Sequence, residues 1–416
     1  MSNRIAIVGA GISGLVCAHL LRDGHDVTLF EANDYAGGHT NTVRVDTAHA
    51  THEVDTGFVV LNDRTYPNFR RLLAGVGVET QASDMSFSVS DGRDFEYNGA
   101  SANGLFARRS NLARPSFHRM VRDLLRFNRE ASALVGLNGS GPSLGDFLAE
   151  GGYSSQFVRR LIVPQVSAVW SADPKRVWDF PASMLAEFFA NHGMFGFADR
   201  PSWLTVKGGS SRYVEALTRP LGERLRLSTA VRRIERFDDR VEVTPAGAEP
   251  ESFDEVVLAV HSDQALRMLA DPNAAEAEVL GSIPYQPNET VLHSDRSLLP
   301  RRRRAWASWN FHLQARPSGR TTVTYHMNRL QSLRADRELC VTLNRTEAIA
   351  DESVIRVLRY DHPVFTPAGL AAQRRWEEVS GVRRTHYCGA YWGYGFHEDG
   401  VVSGLRVCAQ FGRSLE

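Results

Sequence analysis

The chain has 416 residues, 43% hydrophobic and 23% charged, enough for about two domains with substantial cores. Its 48 Lys and Arg balance 48 Asp and Glu, so no global field draws it to nucleic acid, and no such partner is expected. Cys17, Cys340, Cys388 and Cys408 form no CxxC pair, which speaks against a disulfide framework or a zinc centre and for a reducing, cytoplasmic setting.

In chain order, the apolar run Arg4–Val8 reads as a buried parallel strand. It enters Gly9-Ala-Gly11-Ile-Ser13-Gly14, and Leu15–Leu21 then reads as a helix. Residues 5–21 are apolar enough to mimic a secretory leader, but the glycines interrupt it and no cleavage site follows. Gly9 permits a tight turn, Gly11 lets the backbone approach a pyrophosphate, and Gly14 lets the helix pack on the strand. The helix amino terminus, just beyond Ser13 and Gly14, faces the phosphate charge. A second strand, Val27–Phe30, ends in Glu31, where an acid bonds the ribose hydroxyls of NAD or FAD. This motif alone does not separate the two cofactors.

Residues 76–200 are rich in helical pattern, with Phe117, Met120, Val121, Leu124 and Leu125 as an apolar stripe. Around it stand Arg108, Arg109, Arg114, Arg119, Arg122, Arg126 and Arg129 against Asp123 and Glu130. The basic helix 115–135 would suit a peripheral contact with anionic lipid; a plain solvated face is the other reading. Arg301–Arg304 would extend such a patch. Leu137–Pro142 reads as a loop, and alternation around Thr321–Met327 and Cys340–Leu343 reads as strands. No stretch approaches the ~20 apolar residues of a membrane span.

Several separated segments carry a resemblance. After Glu31 come Gly37-Gly38-His39, then Asp55-Thr-Gly57-Phe58, and Lys207-Gly-Gly-Ser210 leading into a helix. Arg224–Ser228, Val231–Ile234, Val241–Val243 and Phe253–Val260 read as strands. His386–Gly404 contains Gly389, Gly400, Val402 and Ser403-Gly404. Together they resemble the flavin amine oxidase, protoporphyrinogen oxidase and phytoene desaturase superfamily. Gly37-Gly-His39, Asp55–Phe58 and Ala307-Ser-Trp-Asn310 further resemble a bacterial subgroup of NAD/FAD-binding proteins associated with cyclopropane or methyl fatty acid modification.

The resemblance implies an α/β fold with a discontinuous Rossmann-like FAD-binding domain (1–75, 201–265 and 376–416) and an α+β substrate domain (76–200 and 266–375). The implied cofactor is noncovalent FAD, held by Gly9, Gly11, Ser13, Gly14, Glu31, Gly37, Gly38, His39, Gly57, Phe58, Val231, Gly389, Gly400, Val402 and Ser403. No metal site is implied. Three departures stand out. His39 replaces the usual Arg, turning a fixed charge into a titratable one. His261 replaces a closing Pro, and Ala390 replaces an acid that bonds the ribityl chain, for which Glu398 or Asp399 are the nearby substitutes.

Flavin chemistry depends on alignment and exclusion of water more than on an acid–base pair. The catalytic candidates are therefore Tyr394, Phe396 and His397, beside Tyr391 and Trp392; ordinary aromatic packing is the alternative for each. Phe396 aligns with the Tyr or Trp of the amine oxidases' aromatic cage, and losing the hydroxyl leans toward an apolar substrate. His397 would donate to the flavin, transfer a proton, or be structural. Tyr66, Trp170, Trp178, Trp306 and Trp309 are pocket or core residues. The expectation is an FAD-dependent dehydrogenase or desaturase acting on an apolar, lipid-acyl substrate. The alternatives are an amine or amino-acid oxidase producing hydrogen peroxide, and a non-catalytic flavoprotein partner of a lipid-modifying enzyme.

Overall fold

A computed structural model describes residues 2–137, 141–170, 177–196, 200–314 and 319–415, so the loop expected at Leu137–Pro142 lies partly outside the described residues. Arg4–Val8 is the middle strand of a five-stranded parallel sheet, flanked by Asp26–Phe30 and Leu225–Arg226 on one side and by Glu255–Leu258 and Thr385–Tyr387 on the other. Both faces are covered, which is why these strands are unbroken apolar runs rather than alternating ones.

Helices Ile12–Leu21 and His397–Gln410 pack against each other on one face. Their approach is set by glycine: a Cβ on Gly404 would stand 2.9 Å from the Ser13 carbonyl oxygen, and one on Gly400 2.7 Å from Ile12 Cγ2. Cys17, Cys388 and Cys408 are free and buried at this crossing, with the Cys17 and Cys388 sulfurs 3.9 Å apart. Residues scattered through the sequence thus converge as free thiols, with no disulfide between them.

The opposite face carries an antiparallel sheet of Val231–Arg236, Val241–Pro245 and Glu251–Phe253. From its first strand Arg236 reaches Glu276 of helix Ala274–Gly281, both side chains only 1% exposed. Tyr387 of the large sheet donates to the same carboxylate at 2.8 Å, and Asp271 meets Arg236 at 3.0 Å. One ionic cluster therefore fastens three elements.

A seven-stranded sheet follows the order 354–363, 285–293, 340–343, 323–326, 309–312, 87–90, 96–98. The strands expected near Thr321–Met327 and Cys340–Leu343 occur as Val323–His326 and Cys340–Leu343. Phe87–Ser90, within a segment read as helical, instead runs parallel beside Trp309–His312. Its Phe-Ser-Val-Ser alternation spans too few residues to stand out.

Helices Pro115–Ala131 and Ala182–Asn191, with the helical run 155–170, cover one face of this sheet through Val89, Phe311 and Val323. Pro115–Ala131 buries Phe117, Met120 and Phe127, but Leu125 is 53% exposed and leaves the expected stripe. Among the described residues no helix is long and apolar enough to cross a membrane.

Candidate flavin site

The site begins where Arg4–Val8 ends. Gly9 has φ +102°, and a Cβ there would lie 2.6 Å from the Ala259 carbonyl oxygen. A Cβ on Gly14 would lie 1.9 Å from the Gly9 carbonyl oxygen, so the turn closes only with glycine at both positions. Gly11 caps the helix without any side-chain acceptor, and the space a Cβ would take is open to 4 Å. The first-turn amides thus form an uncapped, open anion cradle.

Glu31, 7% exposed, holds the rim of this turn. Its carboxylate accepts from Ala10 N at 2.8 Å, Asn33 N at 2.9 Å and Asn33 Nδ2 at 2.8 Å. Gly37 N donates to the Ala10 carbonyl at 2.8 Å, and Gly38 lies against Gly11. The two glycine motifs are therefore walls of one cradle. Thr229 N donates to the Glu31 carbonyl at 2.7 Å, which brings the strand of buried Val231 up to the same rim.

Gly57 and Phe58 run beside His39: Phe58 N donates to the His39 carbonyl at 2.9 Å, and a Cβ on Gly57 would meet that oxygen at 2.1 Å. The His39 ring stacks on Tyr360 at 5.1 Å and stands 5.2 Å from His362 and 6.3 Å from His261. Burial first, then the neighbouring His362, His261 and His397, hold its pKa well below the usual imidazole value. Where the family usually has an Arg, His39 is thus held toward the neutral form within an imidazole cluster. His362, pushed down by burial to about 4, shares it.

At the other end, Gly389 N donates to Ser403 Oγ at 3.0 Å and Ser13 Oγ donates to the Gly400 carbonyl at 2.8 Å. The Ser13 bond joins the last helix to the first, and the Gly389 bond ties the last helix to the loop after strand Thr385–Tyr387. Val402 does not belong with these residues. It is 45% exposed, because the helical turn that aims Gly400, Ser403 and Gly404 inward aims Val402 at solvent. The acids near Ala390 are also committed. Glu398 caps helix Pro67–Gly75, accepting from Asn68 N at 3.0 Å and Phe69 N at 2.8 Å, and Asp399 accepts from Phe396 N at 2.8 Å.

Among the catalytic candidates, Phe396 stacks against Phe188 at 5.6 Å and lies 6.1 Å from His192. Tyr394 donates to Glu187 at 2.9 Å, so helix Ala182–Asn191 walls this loop. His397 is buried, with Nε2 2.6 Å from the Tyr213 hydroxyl and 3.3 Å from Thr40 Oγ1. Its ring stacks on Phe58 at 3.7 Å, and burial lowers its pKa to about 3. At that value His397 is a neutral ring, fixed between the Phe58 face and the Tyr213 hydroxyl. Tyr213, its partner, carried no sequence signal beyond a helical pattern. Trp178 is exposed, and Trp170 packs on Phe180 and Phe188 in the helical core.

Asp55 braces the floor. Its buried carboxylate accepts from Thr42 Oγ1 at 2.6 Å, Ser210 N at 2.9 Å, Ser210 Oγ at 2.9 Å and Gln331 Nε2 at 3.0 Å. Burial outweighs these donors and raises its pKa from 3.8 to about 6. The folded state then binds the proton more tightly than the unfolded one. The stabilisation is fully present below pH 3.8 and is lost as pH rises through about 6. Asp55→Asn is expected to flatten that part of the stability curve, measured as urea midpoints across this window; an unchanged slope would contradict the assignment.

An uncapped helix terminus, two interlocked glycine motifs and an acid at the strand end define a dinucleotide-binding oxidoreductase fold. Residues 12–327 match the flavin containing amine oxidoreductase family, and the chain belongs to it. It is an FAD-dependent oxidoreductase, and the open cradle at Gly11 fits that cofactor. A 44-residue stretch is 54% identical to an L-amino-acid oxidase of Siganus canaliculatus, covering 10% of this chain and 8% of that protein. The whole fold resembles cyclohexylamine oxidase from Brevibacterium oxydans IH-35A (TM-score 0.71, 17% identity, 99% of this chain and 98% of that one). It equally resembles a CLA-producing fatty acid isomerase from P. acnes (TM-score 0.69, 17% identity, 98% of each chain).

Proposed function

We propose that the chain is a dehydrogenase or desaturase that takes hydride from an apolar, acyl-chain-like substrate. The observation that carries this is Phe396, which lacks a hydroxyl and is walled by Phe188 and His192. Bound FAD supplies the two-electron acceptor. The chain's own residues exclude water and align the C–H bond, Phe396 and Phe188 providing the apolar surface. The fold shared with a fatty acid isomerase is compatible with an acyl substrate.

The surface also suits a lipid source. Arg119, Arg122 and Arg129 are exposed on helix Pro115–Ala131, with Leu112, Leu125, Val135 and Leu137 protruding nearby. A cationic face studded with apolar side chains matches a peripheral contact with anionic membrane.

The test is anaerobic mixing of FAD-loaded protein with phospholipids bearing unsaturated or methyl-branched chains, and separately with an amine panel. Flavin absorbance is expected to bleach with the phospholipids alone. Bleaching by amines, with peroxide on admitting air, would replace this reading with an amine oxidase. Bleaching by neither would leave a non-catalytic flavoprotein.

A further inference from the structure

The seven-stranded sheet has two unlike faces. Trp309, Tyr325 and Val341 face the hairpin 42–55 of the flavin side. Alternate residues on the same strands face the other way and are polar although buried. Ser88 bonds Asn310 at 2.8 Å, His312 bonds Thr324 at 2.8 Å, Thr324 bonds Thr342 at 2.7 Å, and Thr342 bonds His293 at 2.7 Å. A buried polar ladder is costly to maintain as mere packing.

Over the end of this ladder lies a cavity of about 820 Å³, floored by Asn310 and His312 and roofed by residues 295–306. Arg296, Arg301, Arg303 and Arg345 line it, together with Trp306. Among the described residues none of these four arginines forms an ion pair, Glu347 acting on Arg345 only at longer range, whereas adjacent Arg302 pairs with Glu96, and Arg108 pairs with Asp94 at 2.8 Å. The one acid of the lining, Asp295, spends its oxygens on the backbone of Ser297 at 2.8 Å and Ala350 at 3.1 Å. Arg345 is half-buried, and desolvation depresses its pKa. Burial, and secondarily Arg345, push His312 down to about 3, leaving it a neutral hydrogen-bonding group.

We propose that this cavity, on the sheet face turned away from the flavin, binds a phosphate-bearing anion between Arg301, Arg303 and Arg345. Guanidinium forks match phosphate oxygens in pairs, and a half-buried, unpaired Arg345 is stabilised when an anion takes the place of lost water. Trp306, beneath Arg303 by a cation–π contact of 5.4 Å, offers an apolar wall for whatever the phosphate carries. This assignment is independent of the substrate proposed above. The phosphate would come from a lipid headgroup or from a free phosphorylated small molecule.

Calorimetric titration of FAD-loaded protein with glycerol 3-phosphate, and co-sedimentation with phosphatidylglycerol vesicles, separate these sources. Saturable binding of glycerol 3-phosphate indicates a free ligand; vesicle binding alone indicates a headgroup. In either case Arg345→Gln and the Arg301→Gln/Arg303→Gln double variant are each expected to weaken binding at least about tenfold, the loss of at least one charge-assisted hydrogen bond. Flavin content should stay unchanged, and Arg345→Lys should recover part of the affinity. Binding of neither probe, or binding that both Arg→Gln variants retain in full, overturns the proposal. Because the double variant alters only surface side chains, a misfolded Arg345 variant would not obscure the result.

Discussion

Replacing Gly14 by alanine is expected to yield protein without flavin, destabilised by about 3 kcal/mol or more. The new methyl would sit 1.9 Å from the Gly9 carbonyl oxygen and 3.1 Å from Ala259 Cβ. Neither neighbour can retreat, because Gly9 and Ala259 end the two central strands and already touch each other. Relief must lift helix Ile12–Leu21 off the sheet, which opens the phosphate cradle. Gly11→Ala is the informative control, since its Cβ points into open space. That variant should keep its urea midpoint and lose flavin affinity, because the methyl occupies ligand space rather than protein space. Equal destabilisation by both substitutions would contradict this division, and the flavin-to-protein absorbance ratio with the midpoint decides it.

Glu276→Ala is the second large effect, at roughly 3 kcal/mol or more, the cost of stranding a buried charge. Arg236 would keep only Asp271, itself shared with Arg383. Burial pushes the Glu276 carboxyl up, but hydrogen bonds from Arg236, Asn273 and Tyr387 bring it below its usual 4.5. A depressed folded-state value means the contribution is present above pH 4.5 and lost as pH falls through the folded value. The parent protein should therefore lose a component of stability on acidification that Glu276→Ala lacks. The sign is opposite to that at Asp55, so the two variants bend the acid limb of the curve in different directions.

Much of the cofactor cradle could be read from the chain because its parts are local. Gly9–Gly14, Glu31 and Gly37-Gly38 each combine a backbone demand with a chemistry that only those residue types meet. Ser403 was legible only through the resemblance, in which a Ser-Gly pair opens the last helix. Facing was less accessible: Val402 lies within a motif but on the wrong side of its helix, which spacing to a motif end does not encode. His39 looked like an isolated substitution because the burial and the His362, His261 and His397 rings that lower its pKa, and the Tyr360 ring it stacks on, are assembled by tertiary contact. The convergence of Cys17, Cys388 and Cys408, and the arginine-lined cavity, are likewise products of topology. Local patterns specify surfaces; which surfaces meet depends on the order of strands.

The bond between Ser13 and Gly400 spans 387 positions of sequence. During translation, residues 12–21 leave the ribosome long before residues 397–410 exist to cover Val16 and Cys17. The sheet likewise waits for Thr385–Tyr387 as its last strand. A nascent chain paused before that point would present a bare apolar flank, the kind of surface chaperones recognise and aggregation exploits. Closing so large a loop also makes the final docking an entropically late and slow step.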